Sequence, residues 1–250
     1  MEKVRLQKFF TDCGIMSRRA AEEEIRKGLV AVNGRTATLG TKIDPETDCV
    51  TYGGRRISAH AKREYVYIIL NKPRGYATTT ADPHEKKCVM DLITDVKERV
   101  YPVGRLDKVS EGLLLLTNDG ELANRLTHPK HEIPKIYRVK VDGSVTEEQL
   151  QTLTSPLVID GYRIQPAEVQ IHALDDTTTT LTFTLYEGRN RQIRKMCEQA
   201  GLTVRRLNRI AIGRIKLGGL SVGKWRPLTK EEVAYLYKNT DTSSGRHRPC

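Results

Sequence analysis

The chain has 250 residues, 38% hydrophobic and only 6% aromatic, with 42 Lys and Arg against 31 Asp and Glu and a formal net charge of +11. That length suits one large domain or about two or three smaller ones, and the charge favours a polyanionic partner, nucleic acid first, with a merely soluble basic protein as the alternative. Five widely spaced cysteines with no CxxC pair support neither a disulfide framework nor a zinc site. That cysteine pattern fits a reducing cytoplasm best; no stretch reaches the length of a membrane span, and the N-terminus is charged with no apolar signal core.

Leu6, Phe9, Phe10 and Cys13 recur at helical spacing, Gly14 interrupts them, and Ser17 is placed to cap a second helix, RRAAEEEIRK, that stops at Gly28. Asn33-Gly34 and Gly53-Gly54 then predict two hairpin turns between short strands. Arg18 and Arg19 open the second helix, where free backbone N–H groups also favour phosphate. Taken alone they read better as a solvated helix face. The stretch RLQKFF…GIMSRRAAEEEIRKGLVAVNG resembles the S4 RNA-binding domain in its order of Leu6, Gly14, Ser17, Arg18, Arg19, Ile25, Gly28, Val32, Asn33 and Gly34. The resemblance implies a small domain, residues 1–62, that grips structured RNA with Arg18, Arg19 and the hairpin.

After a polar linker, HAKRE, the run YVYIILNKP predicts a strand stopped by Pro73, and RGYATTTADP a loop. VYPVG and GLLLLT read as strands and ELANRLTH as a helix between Gly120 and Pro129. A strand over 135–141, a helix over 146–153, strands over 163–173 and 179–186, a helix over 190–200 and further strands lead to a last helix near 229–237. This order predicts an α+β domain with a mainly antiparallel mixed sheet over residues 63–238. The polar tail, residues 239–250, is expected to be disordered.

Residues 187–230 hold twelve Lys and Arg against Glu187 and Glu198, whereas 142–186 carry more acids than bases, so positive charge is focused where it can track phosphates. In the 190–200 helix, Ile193, Met196, Cys197 and Ala200 make one apolar face with Arg194 on its flank, while Arg191 and Lys195 point further round towards solvent. A half-buried Arg calls for a carboxylate. GRLDKVSEGLLLLTNDG, residues 104–120, offers Asp107, two residues after Arg105 and just before a buried apolar run. Spacing alone does not join Asp107 to Arg194. An Asp in a turn commonly only accepts backbone hydrogen bonds, and Tyr137, in an alternating strand, is ordinarily core packing.

Three motifs change that balance. GRLDKVSEGLLLLTNDGELANRLTHP, KIYRV and EGRNRQIRKM, in that order behind an S4-like domain, resemble the RsuA family of bacterial ribosomal RNA pseudouridine synthases over nearly the whole chain. The resemblance implies Asp107 as the catalytic aspartate, Tyr137 as the aromatic that packs on the target base and Arg194 as the basic partner of the aspartate. It adds Arg105 as a holder of the flipped nucleotide, with Arg191 and Lys195 as further substrate contacts. Ser110 stands where many relatives have Thr and keeps the hydroxyl. GIMSRR and LGTKI are closer to the large-subunit branch of the family, so large-subunit ribosomal RNA is the expected partner. A monomer is the expected form, and the missing ligand clusters and phosphate loops lead to the expectation of no metal or organic cofactor.

The chemistry fits these residue types. Pseudouridine formation breaks the C1′–N1 bond, turns the uracil and rejoins it through C5, and a neighbouring Arg keeps an aspartate ionised by lowering its pKa roughly 1 to 3 units. Whether the carboxylate adds to the base, adds to C1′ or takes a sugar proton towards a glycal is not legible in residue types; the last is the preferred reading. A non-enzymatic RNA-binding or ribosome assembly protein would explain the charge but not the three motifs. A glycoside hydrolase needs paired carboxylates, and Asp107 with Glu111 or Asp119 has no companion motif.

Overall fold

The computed structural model describes residues 3–58, 64–80, 84–128, 130 and 133–240. It divides into two compact units, Met1–Tyr65 and Val66–Cys250. Of the HAKRE linker only Glu64 is among the described residues.

In the first unit β1 (Val4–Arg5) leads into α1 (Leu6–Asp12), and α2 (Arg18–Arg26) starts at Ser17, whose Oγ accepts a hydrogen bond from the Ala20 N–H at 3.1 Å. The strands β2 (Val30–Val32), β3 (Arg35–Thr36), β4 (Lys42–Ile43), β5 (Val50–Tyr52) and β6 (Arg55–Ile57) follow. β3-β2-β5-β6 form one antiparallel sheet and β1 pairs with β4. Asn33 at φ 51° and Gly34 at φ 77° make the β2–β3 turn, whose twist matches the flanking strands only with both residues left-handed. Leu6, Phe9, Phe10, Ile25, Val30 and Val50 close this unit's own core, and Arg18 and Arg19 stand exposed on the first turn of α2.

The second unit runs β7 (Tyr67–Lys72), a one-turn 3₁₀ helix (Val89–Leu92), β8 (Tyr101–Val103), β9 (Glu111–Thr117), α3 (Gly120–Thr127), β10 (Lys135–Asp142) and α4 (Glu147–Thr154). A small hairpin, β11 (Val158–Ile159) and β12 (Tyr162–Arg163), precedes β13 (Glu168–Asp175), β14 (Thr178–Leu185), α5 (Gln192–Gln199), β15 (Val204–Ile212), β16 (Ile215–Lys216), β17 (Trp225–Pro227) and α6 (Lys230–Thr240). Nine strands share one sheet in the order β13-β14-β10-β15-β9-β7-β17, with β8 on β9 and β16 on β15. All its pairings are antiparallel except β9 with β15, which touch in parallel only at Glu111↔Asn208 and Gly112↔Arg209. The fold is α+β, as the order of elements predicts.

Both faces of this sheet are covered, which is why β9 is an unbroken apolar run and not an alternation. Leu114 and Leu116 join Ile68, Val139 and Phe183 on the face carrying α4 and α5, while Leu113 and Leu115 join Ile69 and Ile212 on the face carrying α3 and α6. Asp119 caps α3 by accepting from the Glu121 and Leu122 N–H groups, and the Tyr67 and Tyr237 hydroxyls donate to the same carboxylate, tying β7 and α6 to that cap. Among the described residues no helix is long and apolar enough to cross a membrane.

Some expectations need correcting. The strand predicted over 163–173 begins at Glu168, because Arg163 pairs back with Val158 in the small hairpin and Pro166 has no N–H to give a ladder. α5 begins at Gln192 and not at 190, since Arg191 is left-handed at φ 51°. α6 continues through Asn239 and Thr240, where the Thr240 hydroxyl donates to the Leu236 carbonyl at 2.9 Å, so these two residues are helix and not tail. The rest of the expected tail lies outside the described residues. Glu111, expected to flank the buried strand, is its first residue.

Candidate active site

The turn carrying Asp107 links β8 to β9 and is fixed through its backbone. The Ser110 N–H donates to the Asp107 carbonyl at 3.0 Å, and the Thr78 hydroxyl donates to the Leu106 carbonyl at 2.6 Å. Beneath the turn lies Lys72, the last residue of β7, with no exposed surface. Its Nζ donates to the carbonyls of Pro73 and Asp107, both at 3.1 Å, and of Ser110 at 2.7 Å. A buried ammonium is tolerable only when its hydrogens are taken, and here the backbone of the turn takes them. Burial pulls the Lys72 pKa down to about 8, against the opposing charges of Asp107 and Glu111. Sequence reading missed Lys72 because a lysine ending an apolar strand ordinarily reaches back to water.

Asp107, Arg105 and Ser110 form one side of a cavity of about 80 Å³. Tyr137 of β10 and Arg189, Arg191, Gln192 and Arg194 of the segment entering α5 form the others. Five residues singled out in the sequence, Asp107, Tyr137, Arg194, Arg105 and Arg191, thus meet around one space. Lys195 is not among them. One residue along the helix turns it about 100° from Arg194, and it pairs with Asp160 at the tip of the β11–β12 hairpin. Arg18 and Arg19 belong to the first unit.

Arg194 is half-buried as expected, but no direct ion pair joins it to Asp107 among the described residues; its Nε is buried without a hydrogen-bond partner. Burial lowers the Arg194 pKa from its ordinary value, Arg191 pushes the same way, and the Asp107 charge pulls against both. The two groups act on each other across the cavity and not in contact. Tyr137 is 9% exposed and belongs at once to the core and to the cavity wall, set between Phe183 and Arg209 in register. Packing and site readings of this residue both hold geometrically.

The loop before α5 has its own support, which sequence reading also missed. The side chain of Gln192, 3% exposed, accepts from the Arg189 N–H and donates to Glu187, and Glu187 also accepts from the Gln165 N–H at 3.1 Å. Arg206 grips Glu111 through two bonds of 2.6 and 3.0 Å, joining β15 to β9 next to their brief parallel contact. The basic 187–230 segment is accordingly less free than its composition implies: Arg189, Lys195, Arg205, Arg206 and Arg226 each pair with a carboxylate.

Residues 66–199 match the family of RNA pseudouridylate synthases, and residues 4–49 match the S4 domain. The chain belongs to the RNA pseudouridine synthases. The synthase is 44% identical to an uncharacterized RNA pseudouridine synthase of Aquifex aeolicus (strain VF5), over 95% of each chain. It is 41% identical to ribosomal large subunit pseudouridine synthase B of Bacillus subtilis (strain 168), covering 93% of this chain and 95% of that one. The dual-specificity RNA pseudouridine synthase RluF of Escherichia coli (strain K12) is 38% identical over 98% of this chain and 82% of its own. A crystal structure of a pseudouridylate synthase superposes with a TM-score of 0.65 at 29% identity, over 93% of the synthase and 99% of that chain.

Proposed function

We propose that this synthase isomerises a uridine of large-subunit ribosomal RNA, as a monomer in the cytoplasm, with Asp107 as the catalytic carboxylate. The substrate reading is supported by the Bacillus subtilis relative, whose name specifies the large ribosomal subunit. The observation that carries the catalytic reading is the cavity itself: Asp107 is the one carboxylate among its described lining residues, and Tyr137 and four arginines of the family-like motifs surround it.

The target uridine leaves its stack at a cost of a few kcal/mol, and stacking on Tyr137 returns about 1 to 3 kcal/mol of that. Arg105 and Arg191, both exposed at the cavity, hold the extruded nucleotide by its phosphates. As the C1′–N1 bond breaks, its electron pair leaves with the uracil and the Asp107 carboxylate takes the C2′ proton, so that C1′ and C2′ share a double bond as a glycal. The uracil anion turns, and C5 bonds to C1′ while C2′ recovers its proton from Asp107. Loss of the proton on C5 and protonation of N1 complete pseudouridine, with the Tyr137 phenol as carrier. No electrons are gained or lost overall, so the scheme calls for no redox cofactor. Arg194 lies across the cavity from Asp107, a positive charge opposite the carboxylate.

Asp107→Asn preserves size while removing the charge. The variant should fold, bind ribosomal RNA about as tightly as the parent and form no detectable pseudouridine, read by mapping the modified positions, with a thermal melt to show that it remains folded. Pseudouridine at the parental rate, with deamidation excluded by mass spectrometry, would remove Asp107 from the mechanism.

A further inference from the structure

A second cavity, of about 200 Å³, shares Tyr137 with the first. It lies where β9 and β15 part beyond their two-residue parallel contact, and Leu115, Leu126 and Ile212 supply apolar walls. Two cations nevertheless line it, Lys135 and Arg209. Arg209 is 5% exposed; its Nε donates to the Leu113 carbonyl at 2.7 Å, but one terminal nitrogen is buried with no partner. Lys135 has a single long hydrogen bond, 3.4 Å to the Tyr186 carbonyl.

Among the described residues lining the cavity none is acidic. Glu187, beside the lining residue Gly188, is taken by the Gln165 N–H and the Gln192 side chain. Burial lowers the Lys135 pKa and the Arg209 charge pushes it the same way. Neighbouring cations without a counter-charge in an apolar setting destabilise the free protein, whereas an anion placed between them would gain from the same low dielectric. Arg and Lys together are the usual partners of phosphate.

We propose that this cavity is a phosphodiester subsite, holding the RNA backbone next to the extruded uridine. The proposal rests on the reading of the first cavity as the uridine site. Extrusion turns the backbone about the target nucleotide, and a phosphate fixed on the far side of Tyr137 would keep that turned backbone in place while the base reacts. Gly104 and Gly188, neighbours of Arg105 and Arg189, also line the cavity and present no side chains to an approaching strand.

The test compares the parent with Lys135→Met and Lys135→Arg on unmodified large-subunit ribosomal RNA. Lys135→Met should raise KM about 10- to 100-fold, the loss of one charge-assisted contact, and by more than it lowers kcat. The slope of log kcat/KM against log salt should fall by about 0.7 to 0.9, and Lys135→Arg should restore both. Free of RNA, Lys135→Met should melt above the parent, because an unpaired desolvated charge is gone. Uridine 3′,5′-bisphosphate should bind the parent more tightly than uridine does, and lose that advantage in Lys135→Met. Parental KM and salt slope in Lys135→Met would overturn the subsite, as would a lower melting temperature with a KM defect that Lys135→Arg leaves uncorrected. An active parent with an unaltered Lys135→Met removes the subsite alone; a parent that makes no pseudouridine in this RNA removes the uridine site and the subsite together.

Discussion

Asp107 and Tyr137 are legible in sequence because they sit in motifs, but Lys72, which fixes the Asp107 turn, makes only backbone contacts that no motif announces. Its pH behaviour separates positioning from stability. The folded protein lowers the Lys72 pKa from the usual lysine range to about 8, so between those values the unfolded chain binds more protons than the folded one. By linkage, the contribution of Lys72 to stability increases as pH rises through that window. Turnover should move the other way, since above about pH 8 the ammonium loses a hydrogen and the turn loses a donor. Pseudouridine formation should therefore decline on the alkaline side with no parallel fall in melting temperature, and Lys72→Met should be slow at every pH. The same alkaline limb in Lys72→Met would assign it to another group. At Tyr137 the phenol and the ring are separable: Tyr137→Phe should keep near-parental RNA affinity and slow product formation at least about tenfold if the hydroxyl carries the C5 proton. Unchanged turnover would confine Tyr137 to stacking and packing.

The elements were legible where burial speaks through pattern and obscure where a single backbone conformation decides. Apolar runs mark β7 and β9 and the 3.6-residue period marks α5, but neither reveals that Arg191 is left-handed or that β9 and β15 meet side by side over two residues. That meeting depends on Gly112, at φ 104°. A Cβ there would run into the Asn208 side chain and the Arg209 backbone. Gly112→Ala should cost about 2 to 4 kcal/mol, combining overpacking with a disfavoured φ, as read from the midpoint of urea unfolding. Because β9 follows the Asp107 turn and β15 carries Arg209, kcat should fall as well. A variant with parental stability would mean that the strands part without loss, and that Glu111 with Arg206 suffices to hold the junction.

At the scale of the molecule, composition indicated a polyanion but not how its charge is distributed in use. Arg205 and Arg206 pair with Asp142 and Glu111, while Arg189 and Arg191 line the cavity and Arg18 and Arg19 stand exposed in a different unit. The two units have cores that share no residue, Leu6, Phe10 and Val30 in one, Leu114, Val139 and Phe183 in the other. A chain beginning at Glu64 should therefore fold and retain the cavity. Since phosphate contacts add affinity without taking part in bond breaking, the truncated synthase should approach the full-length kcat at saturating ribosomal RNA while its KM rises. Replacing Arg18 and Arg19 together by Ala in the full chain should reproduce part of that rise and lower the salt slope by about 1.4 to 1.8, roughly one counterion release for each lost contact. Equal turnover by the truncated and full-length enzymes at subsaturating RNA would show that the first unit does not hold this substrate. A fall in kcat matching the rise in KM would show instead that it helps to seat the uridine beside Asp107.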